Sequence, residues 1–197
     1  MLVRFALTAT LICAAFAGVE ISRGADSTPV PVRAGAATLT PQNTKLQFVC
    51  AHVGARPDPR KGGFAKFMGK AEVNMATKAL MSLDIDIDTT SLWTEVGDML
   101  TNHLKSPDFF EVRRYPTAHF EATKIEPSSG LTCQIAGKLT LHGVTREISF
   151  PATVEIGDSG LKLRSEFTID RLEFGINYDP KKVENKVSLT VVIGEKS

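Results

Sequence analysis

From Leu46 onward, apolar and polar residues alternate with period two in one segment after another, the pattern of strands with one wet face. Leu46, Phe48 and Cys50 share one phase. After a Pro- and Gly-rich turn at 57–63, Phe67, Gly69, Ala71 and Val73 share another. Met81, Leu83, Ile85 and Ile87 then alternate with Ser82, Asp84, Asp86 and Asp88, the cleanest half-wet strand in the chain. The same period returns in Ala118–Ala122, in Leu131–Leu141 with Cys133, Ile135, Gly137 and Leu139, and in Ile148–Ile156 with Phe150. It closes with Leu161–Ile169, which carries Phe167, and Val187–Ile193. The segments add up to eight strands. Between the third and fourth the period lengthens, and Val96, Leu100, His103 and Leu104 predict a helix over 94–104.

The residues after that helix, 102–120, set out a helix end, a capped turn and the start of a strand. Ser106 can cap a short turn, Pro107 suits its first position, and Asp108 places a carboxylate near the free N–H groups. Phe109 and Phe110 follow on a rigid corner, Arg113 and Arg114 can reach solvent, and Pro116 holds Tyr115 extended ahead of Phe120. The unit reads as a cover on a β-wall.

Eight sequential strands with short links predict a mainly β protein. The favoured form is an up-and-down antiparallel barrel with one helix and the capped turn between strands three and four. A two-sheet sandwich is the structural alternative. A barrel of this size is either filled by its own side chains or holds one slender ligand. Its inward rows mix Phe with Gly69, Ala71, Ala118, Ala122, Gly137 and Ala152, so the pattern leaves both open.

At 197 residues, 43% hydrophobic and 23% charged, the chain can bury one sizeable core. A net charge of +1 gives no footprint for nucleic acid. Arg4, the apolar run from Phe5 to Ala14 and the small-x-small Ala15-Phe16-Ala17 read as a cleaved leader over 1–17, too short to span a bilayer comfortably, with an uncleaved anchor as the alternative. Residues 18–38, rich in Ser, Gly, Ala and Pro, read as a flexible linker, and 39–195 as the barrel. The expected destination is export, to a periplasm or the outside. In such an oxidising compartment Cys50 and Cys133 can form a disulfide or remain two buried thiols.

Several motifs in order carry a resemblance: His52, Phe64-x-x-Phe67-x-Gly69, Asp88-Thr-Thr-Ser91 and His103-Leu-Lys-Ser-x-Asp-Phe-Phe110. They continue with Tyr115-Pro-x-x-x-Phe120, Gly137-Lys-Leu-Thr-Leu-x-Gly-Val-Thr-Arg146 and Asp170-Arg-x-x-Phe-Gly175. Residues 39–195 thereby resemble the YceI-like family of polyisoprenoid-binding proteins, exported lipocalin-like barrels. The resemblance implies an apolar tunnel for an isoprenoid lipid, a polyprenyl chain or quinone tail, with the helix and the Phe109-Phe110 corner at its opening. The residues expected along that tunnel are Phe48, Phe67, Ala71, Leu83, Ile85, Leu100, Leu104, Phe109, Phe110, Phe120, Ile135, Leu139, Phe150, Phe167, Ile169 and Phe174. The chain departs from the family at Thr101-Asn102, where many members carry Arg-Asp.

Other chemistry is thinly supplied. Asp84-x-Asp86-x-Asp88 matches part of a calcium loop, but Thr89 stands where glycine is required and the run is a strand. The four histidines form no metal-spaced pair. His103, near the helix C-terminus, is expected to serve the free carbonyls there or to meet a ligand head group, and His52 is similar in kind. Arg171, in phase with Phe167 and Ile169, calls for a carboxylate or carbonyl partner, or anchors a head group. No nucleophile elbow or phosphate loop is present. The expectation is an exported binding protein, not an enzyme, with no cofactor or metal beyond its isoprenoid ligand. Its uses would be carriage, storage or stress response, it would keep no membrane span after cleavage, and a homodimer is left open. The alternative is a structural or protein-interaction module with a side-chain-filled barrel and no lipid.

Overall fold

The computed structural model describes residues 35–54, 58–158 and 160–194. The expected leader and most of the expected linker lie outside them. The elements are β1 (Ala36–Leu39), β2 (Thr44–Cys50), β3 (Arg60–Phe64), β4 (Phe67–Asn74), β5 (Ala79–Asp88), β6 (Leu92–Thr94), α1 (Asp98–Lys105), β7 (Thr117–Pro127), β8 (Thr132–Leu141), β9 (Val144–Gly157), β10 (Gly160–Asp170) and β11 (Lys186–Ile193). Short 3-10 turns occupy Thr89–Ser91 and Arg171–Phe174. All eleven strands join one antiparallel curled sheet in the order β1-β4-β5-β7-β8-β9-β10-β11-β2-β3-β6.

The eight expected strands are β2, β4, β5 and β7 to β11, and they follow one another as an up-and-down series. Leu46 opposite Val191 and Phe48 opposite Leu189 bring the last strand back to the first, as a barrel requires. The count is eleven, however, and the series is an open one. β2 does not pair with β4 but with β3, which pairs with β6, while β1 lines the far side of β4. These three additions are four, five and three residues long, too short to show a period. β1 starts within the expected linker. β3, Arg-Lys-Gly-Gly-Phe, overlaps the expected turn at 57–63 and is a strand through its pairing with β2 and β6, its Gly62 leaving room for the Phe48 ring and the Trp93 carbonyl.

The helix is shorter than expected. Thr94 is still on β6, opposite Gly62, and its hydroxyl reaches Thr101 Oγ1 at 3.0 Å. Gly97, at φ 111°, turns the chain, so α1 begins at Asp98 and Val96 lies outside it, exposed. Met81 also departs from the expected phase. The β4–β5 register shifts so that Glu72 faces Ser82 while Val73 faces Leu80, leaving Met81 as the extra residue of a bulge, pointing to water with Leu80 inside.

Candidate functional site

The inside of the curled sheet is filled at one end and hollow at the other. On β5, β8 and β10 the cavity wall is drawn mainly from the C-terminal half and on β7 and β9 from the N-terminal half, while on β2 it runs from Leu46 to Cys50 and on β11 from Val187 to Val191. Antiparallel pairing puts all those halves at one rim. The remaining halves are packed solid by Leu39, Ala71, Ile135, Leu161, Leu163 and Ile193, each at or below 2% exposure. Above them is a cavity of about 400 Å³, lined by Leu83, Ile85, Ile87, Ala118, Phe120, Leu139, Leu141, Ile148, Phe150, Phe167, Ile169, Val187, Leu189 and Val191 along the wall.

Helix α1 and the corner after it cover this rim. Leu100 and Leu104, one turn apart, and Phe109 and Phe110 reach the cavity. Phe110 closes against Phe48 and Phe64 at ring separations of 6.2 and 5.9 Å. The corner is held from within: Ser106 Oγ accepts from Asp108 N at 3.3 Å, Phe110 N donates to Leu104 O at 2.9 Å, and Glu111 N donates to Ser106 O at 2.9 Å. His103 does not serve the helix carbonyls as expected. Its Nε2 lies 3.1 Å from Asp108 Oδ2, and its ring sets an edge against both Phe109 and Tyr178 at 5.1 Å.

Polar groups on the cavity surface are few: His52, Arg60, Thr94, His103, Arg171 and Tyr178 stand toward the same rim, and Gln47 and Thr190 face each other farther down β2 and β11. Arg171 is 3% exposed, and the choice between carboxylate and carbonyl partners falls to uncharged oxygens. Its guanidinium donates to Ile176 O at 2.7 Å, Val183 O at 3.0 Å, Glu184 O at 3.0 Å and Asn185 Oδ1 at 3.2 Å, which ties the 176–185 loop to the barrel. The turn that presents Arg171 is capped by Asp170 Oδ1 on Leu172 N and ended by Gly175 at φ 74°. Asp88 caps the Thr89–Ser91 turn in the same way, through Thr90 N. These two Asp-capped turns explain the chemistry of the Asp88-Thr-Thr-Ser91 and Asp170-Arg171 motifs.

Of the residues expected along a tunnel, Phe48, Leu83, Ile85, Leu100, Leu104, Phe109, Phe110, Phe120, Leu139, Phe150, Phe167 and Ile169 meet on one cavity, together with His52, His103 and Arg171. Phe67, Ala71, Ile135 and Phe174 do not line it. They are buried in the packed core although Phe67, Ala71 and Ile135 stand directly opposite the cavity-lining Ile87, Leu83 and Phe150, so inward phase alone does not separate core from wall. Tyr178, Ile176 and Val183 line the cavity from an irregular loop that carries no periodic signal. Phe64 and Leu46 were within reach of the alternation.

Cys50 and Cys133 are free, which removes the expected disulfide option. They stand on β2 and β8, with β9, β10 and β11 between those strands in the sheet. Cys50 lines the cavity and lies 3.4 Å from Glu184 O. Burial pushes the thiols of both cysteines above the ordinary range, and at Cys50 this outweighs the lowering by the Ala51 backbone and the Arg171 charge. On the outer wall His119 gathers two aspartates that the spacing of the histidines did not reveal. Its Nδ1 lies 2.9 Å from Asp86 Oδ1 and its Nε2 3.7 Å from Asp84 Oδ2. The three form the one group among the described residues with metal-ligand atoms so close, and each imidazole nitrogen already faces a carboxylate. No helix among the described residues is long and apolar enough to cross a membrane.

A curled antiparallel sheet around an apolar cavity, covered by one helix and an aromatic corner, defines the structural class. Residues 38–194 match the model of the YceI-like domain, and the chain belongs to that family. It is 34% identical over 92 residues to the UPF0312 protein of Pseudomonas putida. That match takes in 47% of each protein, so the chain spans about half the length of the curated relatives it matches. Among solved structures, BcnA of Burkholderia cenocepacia superposes with a TM-score of 0.68 at 24% identity, over 76% of this chain and 94% of that one. A Saccharophagus degradans domain, described as polyisoprenoid-binding and implicated in plant cell wall breakdown, superposes with a TM-score of 0.62 at 14% identity. It is covered in full and takes in 84% of this chain. These likenesses bear out the lipocalin-like class of fold.

Proposed function

We propose that the protein binds an isoprenoid lipid, a polyprenyl chain or quinone tail, in the cavity beneath α1, as a carrier, store or stress-response protein and not as an enzyme. The observation that carries this reading is the apolar wall, with most of its few polar groups near one rim. Such a site favours a ligand with a long hydrocarbon tail and one polar end. Each buried methylene contributes about 0.8 kcal/mol, so a tail of several prenyl units is retained without any directed hydrogen bond. The branched, kinked wall of Leu, Ile and Phe suits a methyl-branched chain. Likeness to a domain described as polyisoprenoid-binding supports the reading. Export to a periplasm or the outside is part of the proposal and rests on the leader pattern at 1–17.

The filled-barrel alternative describes only the packed half of the molecule. Native mass spectrometry of protein from its own host, followed by organic extraction, tests the proposal. A bound prenyl lipid at stoichiometric level is expected. Protein that is reproducibly empty, and that fails to take up added prenyl lipids, would overturn it.

A further inference from the structure

Helix α1 contributes no fully buried residue, although Leu100 and Leu104 turn to the cavity. Met99, the neighbour of Leu100 on the helix, is 91% exposed, and Val96, just ahead of the helix, is 50% exposed. Val53, 46% exposed, follows His52 of the rim. The ladder puts the two valines at one end of the sheet. Cys50 pairs with Arg60, and Glu95 N donates to Lys61 O at 3.1 Å, so Val53 and Val96 both continue past the same end of β2, β3 and β6. Three of the seven large apolar residues left exposed among the described residues therefore flank one opening. Exposed apolar residues scattered singly are ordinary, but a group continuous with the mouth of an apolar cavity marks a contact surface.

Charge says what kind of partner fits. Charges of both signs surround this lip: Arg60 is paired with Asp58, Lys61 with Glu95 at 3.0 Å and Lys182 with Asp179 at 2.9 Å, and α1 carries Asp98 at its start and Lys105 at its end. A balanced rim around apolar side chains suits a surface that is apolar beneath a layer of no net charge. We propose that the lip formed by Val53, Val96 and Met99 docks on a zwitterionic phospholipid bilayer. The three side chains insert among the acyl chains, so that the ligand passes into the cavity without crossing water. The passage rests on the lipid-binding reading above; the docking stands on the lip alone.

Flotation of the full chain with phosphatidylcholine vesicles tests this, comparing the wild type with Met99→Asp and Val96→Asp. Both sites are exposed, and an aspartate at 99 lies in the first turn of α1, where a carboxylate is favourable, so the fold is kept. The wild type is expected to float equally at low and high salt, and each variant to lose about tenfold in binding. Variants that float like the wild type, a wild type that stays in solution, or binding confined to anionic vesicles and lost in salt would each overturn the docking. So would a dimer in gel filtration that the substitutions dissolve, which assigns the lip to a second copy. Prenyl lipid supplied in detergent should enter the wild type and both variants alike, since none of the three side chains lines the cavity. Failure of all of them there counts against the lipid reading and leaves flotation to judge the docking.

Discussion

Replacing Ala118 by Phe, with Ala71→Phe as its partner experiment, separates the hollow half of the barrel from the packed half. Both alanines are small inward residues on neighbouring parts of the sheet, yet only Ala118 faces the cavity. Ala71, at 0% exposure, sits in the ladder opposite Ala37 and Leu83 and does not line the cavity. A phenyl ring there must displace its neighbours, at a cost of about 1–3 kcal/mol. At Ala118 the ring enters a space of about 400 Å³. Burying it contributes about 1.5–3 kcal/mol, against which stands the roughly 1 kcal/mol of rotamer freedom it loses. Ala118→Phe should therefore be as stable as the wild type or slightly more so, while occupying the volume that a ligand tail needs. Urea unfolding and thermal melts measure the first point, with about 2–4 °C of Tm for each kcal/mol in a domain of this size. Uptake of a prenyl lipid by native mass spectrometry measures the second, where Ala118→Phe is expected to lose most binding and any folded Ala71→Phe to retain it. Equal destabilisation by both substitutions, with uptake unchanged in Ala118→Phe, would refute the cavity.

Arg171→Met should cost about 2–3 kcal/mol in urea unfolding, because the buried Ile176 carbonyl and the partly buried Val183, Glu184 and Asn185 oxygens lose their donor. A loss below about 0.5 kcal/mol would show that the 176–185 loop is held by other means. Asp108→Ala should loosen the corner by about 1 kcal/mol or less, since the His103 pair is half-exposed, and should raise hydrogen exchange at Phe109 and Phe110 before it lowers the melting point. Cys50 should resist alkylation at neutral pH, as burial holds its thiol protonated, and should react as the solution becomes alkaline, more slowly once a ligand fills the cavity. Rapid modification of the apo protein at pH 7 would contradict that. The same raised thiols bind protons more tightly in the folded than in the unfolded chain. Their contribution is intact below the ordinary thiol value of about 8.5 and fades as pH rises through the folded value, so denaturant midpoints should fall in alkaline buffer.

The alternation from Leu46 to Ile193 contained the eight long strands, their sequential pairing and the membership of most wall residues, because a period of two assigns each side chain to a face without reference to any partner. The 102–120 segment was legible for a similar reason: a cap, a proline and a pair of aromatics act within a few residues of one another. Three things lay beyond it. β1, β3 and β6 are strands only because a neighbour supplies their hydrogen bonds, and Met81 left its phase only because β4 and β5 slip by one residue. Face alone could not divide Phe67, Ala71, Ile135 and Phe174 from Phe48, Phe120 and Phe150, since packed core and cavity wall share one inward phase and can stand opposite each other in the ladder, as Ile135 and Phe150 do. The loop that brings Tyr178 to the rim has no period, and it is held there by the buried Arg171 guanidinium on its carbonyls and by its backbone bonds to Ala51 and Val53. Local chemistry along the chain thus determined what faces inward. Only the closing of distant strands on one another decided where the interior is filled and where it stays open.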